Sequence, residues 1–320
     1  MKTVDNRHII VNYHHVEDPS PKWGGIHPCP TAEFEKQIKY LAENYKIVSV
    51  DEVYSAAKEK KSGYFTAISF DDGLKDQYAN ALPILEKYGA TAIFFPITST
   101  FEGNIPGTHK LHILLSRFPA QSLIERFNKE EIGFAPIPME KRMTNERQLY
   151  SDIPTVNLKE TLLSMPPYTK DSFLNKTFKA LGLDEKKVAK ELFMSEEEIK
   201  SLNKKGFSIG SHTHEHYSLN ILDEKNTKNE IATSKKILKE LLGEYPTVIS
   251  YPRGIRNNNS ALILKSESFN FGLSIEVRPV LATDDPFFLP RLDTNDLKTL
   301  INSGNSLNES YQNGTVKHVK

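Results

Sequence analysis

Cysteine is nearly absent: Cys29 is the only one in 320 residues. That excludes a disulfide framework within the chain and any zinc cluster built on several thiolates. A charge excess is lacking too, since 41 Lys and Arg meet 41 Asp and Glu. Gripping nucleic acid through its phosphates needs a basic face, so no nucleic-acid partner is expected. No run approaches the about 20 apolar residues of a membrane span, so no transmembrane segment is expected. The opening MKTVDNRHIIVNYHHV holds only a short apolar stretch, broken by Asn12, His14 and His15. It has no signal-peptide core, and a cytoplasmic location is expected. What is present is ample for a core: 38% hydrophobic residues, with 17 Phe and 13 Tyr.

The apolar, β-branched run at residues 8–13 reads as a buried strand. A helix pattern capped by Thr31 follows over 34–45, then a strand at 46–50 and a helix capped by Asp51. Strands at 64–70 and 91–96 flank a helix at 76–88. The rhythm resumes with a helix capped by Ser195, a strand at 207–210, a helix at 223–242 closed by Gly243, a strand at 248–251 and a helix at 260–267. Strands alternating with helices imply a parallel sheet with helices outside it. Between the two runs, residues 102–194 carry helical patterns at 109–118, 121–128, 170–181 and 185–193, punctuated by prolines. They read as a helical insertion in a barrel of residues 1–302, placed as a candidate cap. Residues 303–320 read as a polar tail.

Four segments carry chemistry. In AISFDDG, an apolar strand ends in Asp71 and Asp72. In α/β barrels catalytic groups sit at the C-terminal ends of strands, and two carboxylates there suit a cation ligand beside a base. In GFSIGSHTHEHYSL, His212, His214 and His216 follow another short strand. Strict alternation would put all three imidazoles on one face; a helical turn would pair only His212 with His216. Gly210 and Ser211 end the strand first, which favours the pair. Two imidazoles and a carboxylate with an open position form a common catalytic zinc shell. The third segment is VISYPRGIRNN, with a tight turn at Gly254, and the fourth is FFLPRLDTNDL, with Arg291, Asp293 and Asp296.

FDDG, HTHEH, YPRG and LPRLD, in that order, resemble the polysaccharide deacetylases of carbohydrate esterase family 4, the NodB-homology domain. Ser69-Phe70-Asp71-Asp72-Gly73 matches that family's first motif and His212-Thr213-His214-Glu215-His216 its second. YHHV and the FEKQIKYL helix look like the subgroup that serves surface-polysaccharide biosynthesis. The resemblance spans residues 7–100 and 195–297. It implies an irregular (β/α)7 barrel, NodB-like, with the helical insertion outside the match. It implies that Asp72, His212 and His216 hold one divalent metal ion, zinc foremost with cobalt, nickel or manganese as alternatives, and that Asp71 is the general base, losing its charge as the pH falls.

Two departures matter. Where the family carries an Arg that orients the base, this chain has Ser250, and Arg291 is the substitute guanidinium. The family's last motif, an apolar strand ending in a catalytic His, is missing at the C-terminus. HIIVNYHHV has that form, and first and last strands are neighbours in a closed barrel, so His14 is expected to be the general acid in a circularly permuted arrangement. His14 and His15 face opposite ways by alternation, and the resemblance to the subgroup's Y-H pattern is what points to His14, which follows Tyr13. An oxyanion site is expected at Tyr251, Arg253 and Gly254. The expected reaction is removal of an N-acetyl or N-formyl group from an amino sugar of a surface polysaccharide or its precursor, with a carbohydrate substrate. Hydrolysis of a small non-sugar amide, or carbohydrate binding without turnover, are the competing readings.

Overall fold

The computed structural model describes residues 8–20, 27–130, 133–143 and 152–303. The expected polar tail lies outside them, apart from Ser303. The chain divides into two compact units, built from the described parts of Met1–Asp18, Pro28–Glu102 and Lys190–Lys320, and of Pro19–His27 and Gly103–Ala189.

The first unit is an α/β barrel. Its strands are β1 (His8–Tyr13), β2 (Lys46–Ile47), β3 (Phe65–Asp72), β4 (Ile93–Pro96), β5 (Ser208–Ile209), β6 (Val248–Ser250), β7 (Phe271–Leu273) and β8 (Leu292–Asp293). β1 pairs with β3 along its length, His8 opposite Phe65 through Tyr13 opposite Phe70. β3 pairs with β4, β4 with β5, and β6 with β7. Bridges from Ser211 to Ile249 and from Leu273 to Leu289 link the remaining neighbours. The ring closes where Val11 and Asn12 of β1 meet Leu292 and Asp293 of β8. Every one of these pairings is parallel, and the circuit takes in seven strands. β2 stands outside it, pairing only with the start of β3.

Alternation divides the faces. Ile9, Val11 and Tyr13 of β1 and Ile68 and Phe70 of β3 pack outward with Phe34, Ile38 and Leu41 of helix α1 (Thr31–Asn44). Ile10, Ala67, Ile93 and Phe95 join the inner cluster. Asn12, Ser69 and Asp71 share that inner parity, so β1 and β3 aim their polar residues into the barrel. Outside, Phe70 stacks on Phe94 at 4.7 Å between ring centroids, and Tyr13 meets Phe34 edge-on at 4.9 Å.

Helix starts follow local chemistry, not always at the expected residue. Thr31 is the first residue of α1, not its cap; Pro30 precedes it, and Asp18 accepts the Thr31 N–H. Helix α2 (Val50–Lys58) is capped by Ser49 in a reciprocal box with Glu52, not by Asp51. That box draws residues 48–50 out of the expected strand, leaving Lys46–Ile47. The helix expected at 76–88 is a π-helical segment, Gln77–Ala81, followed by α3 (Leu82–Lys87). α9 (Glu196–Lys204) and α10 (Glu224–Leu242) are capped by Ser195 and Asp223. α11 (Ser260–Ser266) and α12 (Thr294–Ser303) complete the unit.

The second unit is helical: α4 (Gly107–Arg117), α5 (Ala120–Lys129), α6 (Ile153–Ser164), α7 (Pro167–Ala180) and most of α8 (Glu185–Leu192). Most of the punctuating prolines are helix starts, while Pro136 and Pro138 lie outside any helix. Pro106, Pro119 and Pro166 stand at N-caps, and Pro154 opens α6 behind the Asp152 cap, where the missing N–H costs nothing. Phe127 and Phe173 meet edge-on in its core.

Phe70 is fully buried between Tyr13, Phe34 and Phe94. Phe70→Ala is expected to destabilise the barrel by about 3–5 kcal/mol, read from urea unfolding midpoints at unchanged slope.

Candidate active site

Adjacent residues of a strand point to opposite faces, yet Asp71 and Asp72 both reach the site. Asp71 points inward by the parity of β3. Asp72 leaves strand geometry, with φ of 75°, and its carboxyl turns to the same end. Gly73 follows at φ 67°, and a Cβ there would meet Pro96 at 2.8 Å, so the turn accepts only glycine.

The Asp71 carboxylate is gripped from below. Arg291 Nη1 donates to Oδ1 at 3.0 Å and Nη2 to Oδ2 at 2.8 Å. Asn12 Nδ2 also donates to Oδ2, at 3.1 Å. The guanidinium's other three hydrogens go to Asn12 Oδ1, Ser250 Oγ and the Ser274 carbonyl, with Ser69 Oγ sharing an Nη1 hydrogen at 3.3 Å. Burial pushes the Asp71 carboxyl up, but the charge and hydrogen bonds of Arg291 outweigh it and hold it well below the usual carboxylate range. The grip of Arg291 favours the charged form, so Asp71 is expected to lose its charge only at lower pH than an ordinary carboxylate.

After β5 the chain turns sharply, with Thr213 and His216 at φ of 64° and 60°. The turn brings His212 and His216 together and sends His214 elsewhere. His212 Nε2 lies 3.3 Å and His216 Nε2 3.4 Å from Asp72 Oδ1, and the three ligand atoms all lie within 4.8 Å of one another. His214 Nδ1 pairs with Thr98 Oγ1 instead, at 3.0 Å. His212 Nδ1 faces the Ser250 carbonyl at 2.8 Å, which makes it the donor nitrogen and leaves the Nε2 lone pair toward Asp72. A tetrahedral ion with ligand bonds of about 2.0–2.1 Å has ligand–ligand edges of about 3.3–3.4 Å. The two Asp72 edges match, so the donor set fits a divalent ion. A second cluster, His15, Glu17 and Asp76, does not: His15 Nδ1 and Asp76 Oδ2 lie 2.6 Å apart, a hydrogen-bond distance.

His14 stands across from Asp71, its Nε2 3.9 Å from Oδ2 and its side chain 46% exposed. His15 turns away into its bond with Asp76.

The expected oxyanion set is corrected in two of its three members. Tyr251 N donates to Leu273 O, and its hydroxyl to Phe287 O at 2.7 Å. Gly254 N donates to Tyr251 O. Both N–H groups are spent on the turn. Gly254 matters sterically: at φ 64°, a Cβ there would strike Ile275 at 2.4 Å. Arg253, at φ 60°, is the member that keeps the candidacy.

Glu230 was missed. It lies on the buried face of α10 and accepts from the backbone N–H of His214 and Glu215, at 3.1 and 2.8 Å. Its signal was a carboxylate within the buried stripe Thr227, Glu230, Ile231, Ser234 and Leu238. Burial raises its carboxyl to about 7, helped by the Glu215 charge and opposed by the two N–H groups.

With this geometry in hand, the kinship is clear. The family model for polysaccharide deacetylase matches residues 58–134 and 168–271, and the chain belongs to that family. Both motifs of the candidate metal site lie inside the match; His14 and Arg291 lie outside it. The chain is 23% identical over 270 residues to "Putative polysaccharide deacetylase YxkH" of Bacillus subtilis (strain 168), covering 83% of this chain and 64% of that protein. It is 27% identical over 116 residues to the poly-beta-1,6-N-acetyl-D-glucosamine N-deacetylase of Staphylococcus aureus (strain MRSA252), covering 32% and 39%. It thus matches less than two thirds of the length of either. Among solved structures, the Streptococcus pyogenes deacetylase PplD in complex with acetate aligns with a TM-score of 0.59 at 17% identity, over 91% of this chain and 96% of that one. IcaB from Ammonifex degensii aligns with a TM-score of 0.53 at 17% identity, over 89% and 90%. These two likenesses establish the NodB-like fold.

Two outcomes follow. His212→Ala and His216→Ala are expected to lose a bound divalent ion, while His214→Ala keeps it, by metal analysis after dialysis against trace chelator. For Glu230 the raised folded value fixes the sign. The folded state holds a proton that the unfolded state releases from its ordinary value of 4.5, so stability falls as pH rises toward about 7. Relative to Glu230→Gln, the wild type is expected to lose stability across that window and level off above it, measured by chemical denaturation at stepped pH.

Proposed function

We propose that the chain is a metal-dependent hydrolase that removes an N-acyl group, acetyl or formyl, from an amino sugar of a surface polysaccharide or its precursor. The observation that carries this reading is the meeting of three elements at one barrel end: the Asp72–His212–His216 trio, the Arg291-gripped Asp71 and the half-exposed His14. Family membership supplies the substrate class, and the Staphylococcus aureus relative's name supplies an N-acetylglucosamine polymer as the first substrate to try.

Asp72, His212 and His216 would hold the ion, zinc foremost given two imidazoles and a carboxylate. Such an ion polarises an acyl oxygen and acidifies water. Asp71 takes the proton of the attacking water. A carboxylate held this acidic is a weak base, so its value lies in position: its oxygens are locked by Arg291 and Asn12. His14 gives a proton to the nitrogen of the breaking C–N bond, because an amine leaves poorly as an anion. Amide and water become carboxylate and free amine. Arg253 lies in the loop assigned to the substrate.

The test is acetate and formate release from N-acylated glucosamine oligomers and from small amides by the metal-loaded protein. Turnover of the oligomers supports the reading. Turnover of small amides alone, or glycan binding without release, overturns it. Asp71→Asn is expected to abolish turnover and keep the metal; His14→Ala is expected to keep the metal and lose on the order of 10²-fold in kcat.

A further inference from the structure

The position of His14 has to be explained, because among the described residues no hydrogen bond holds its ring. Its nearest charged neighbour is Asp71 Oδ2 at 3.9 Å, beyond hydrogen-bond reach. The ring's place is therefore inherited from its backbone, and that backbone is held from one side by three side chains just beyond the Asp-Asp-Gly turn.

Gln77 is fully buried. Its Nε2 donates to the carbonyl of Asp71 at 2.6 Å and to the carbonyl of His14 at 3.1 Å. Both amide hydrogens are used, one on each residue assigned to proton transfer. Its Oε1 is buried with no hydrogen-bond partner among the described residues. Turning the amide over would set that oxygen against two carbonyl oxygens, so the orientation is fixed by electrostatics. Leaving a buried acceptor unmatched is unfavourable, a cost that an apolar side chain chosen for packing alone would not carry. Asp76 adds two contacts: Oδ1 accepts the Val16 N–H at 3.2 Å, and Oδ2 lies 2.6 Å from His15 Nδ1. Asn80 Nδ2 donates to the Val16 carbonyl at 2.8 Å. Gln77 and Asn80 lie in the π-helical segment Gln77–Ala81, an irregularity that often marks functional positions.

We propose that Asp76, Gln77 and Asn80 form a clamp that sets the distance between His14 and Asp71, acting as positioning residues for proton transfer. This rests on the roles given to His14 and Asp71 above. None of the three side chains is placed at the substrate. Asp76 holds the flanking His15 and Val16, Asn80 holds Val16, and Gln77 ties His14 directly to the end of β3.

The test uses the full chain with Gln77→Met, which keeps the length and removes both donors, and Asn80→Ala, which removes one contact at the half-buried edge and stands in if Gln77→Met fails to fold. Three quantities are read: amide hydrogen exchange over residues 14–16, divalent-ion content, and kcat with KM for acetate release. The expected result is faster exchange at 14–16 in each folded variant, unchanged ion content, and a kcat lower by about 10- to 100-fold for Gln77→Met at unchanged KM. Unchanged exchange at 14–16, or a kcat loss matched by loss of the ion, overturns the clamp. The exchange readout needs no turnover, so it decides the clamp even where no substrate is cleaved. A fully active His14→Ala overturns the acid assignment, and with it the catalytic purpose of the clamp, whatever the exchange shows.

Discussion

The barrel and its site both depend on one buried ion pair. Arg291 is 1% exposed, and its guanidinium touches β1 through Asn12, β3 through Ser69 and Asp71, β6 through Ser250, and the segment after β7 through Ser274. A buried charge with one partner removed costs about 3–5 kcal/mol, and both members here are buried. The same contacts that close the ring at β8 also lock the oxygens of Asp71. Ring closure and the grip on Asp71 converge on one side chain, and its planar fork is what allows it to meet a carboxylate and two hydroxyls together.

Around that pair the backbone is bent against its preferences. Asp72, Thr213, His216 and Arg253 all take positive φ, at about 1–3 kcal/mol each for residues with a Cβ. Three of the four belong to the two motifs that build the candidate metal site. Strain of this size persists only where neighbours impose it. Pro96 packs over the turn after Asp72, and Glu230 draws the N–H groups of His214 and Glu215 toward α10. The backbone turns thus help aim the ligands, and the Asp72 edges are short, at 3.3 and 3.4 Å.

Much of this was legible in the residues. The α/β alternation, the pairing of His212 with His216, the cap at Ser195 and the helix stop at Gly243 follow from periodicity, spacing and local chemistry. What escaped did so for physical reasons. β7 and β8 are only three and two residues long, too short for alternation to register. The choice of Ser49 over Asp51 as a cap turns on a reciprocal bond with Glu52 that competes with the neighbouring aspartate. The spent N–H groups of Tyr251 and Gly254 are set by pairing with β7 and by the turn itself, which no local pattern encodes. Gln77 and Glu230 act through backbone atoms of residues far away in sequence, so their type alone says nothing of their partner.

The place of His14 follows from ring closure. β1 pairs with β3 on one side and β8 on the other, so the residue after β1 emerges at the mouth between the strand that carries Asp71 and the strand that follows Arg291. A closed ring of parallel strands has no first member in space, only in sequence. A proton donor on the opening strand occupies the position that a donor on a closing strand would occupy, next to the same carboxylate. What changes is its support. A histidine ending the last strand would be followed only by whatever chain remains, whereas one ending the first strand is followed at once by residues that the next elements must fix. Asp76, Gln77 and Asn80 supply that fixing from the far side of the Asp-Asp-Gly turn, and so the proposed acid and the proposed base share one brace.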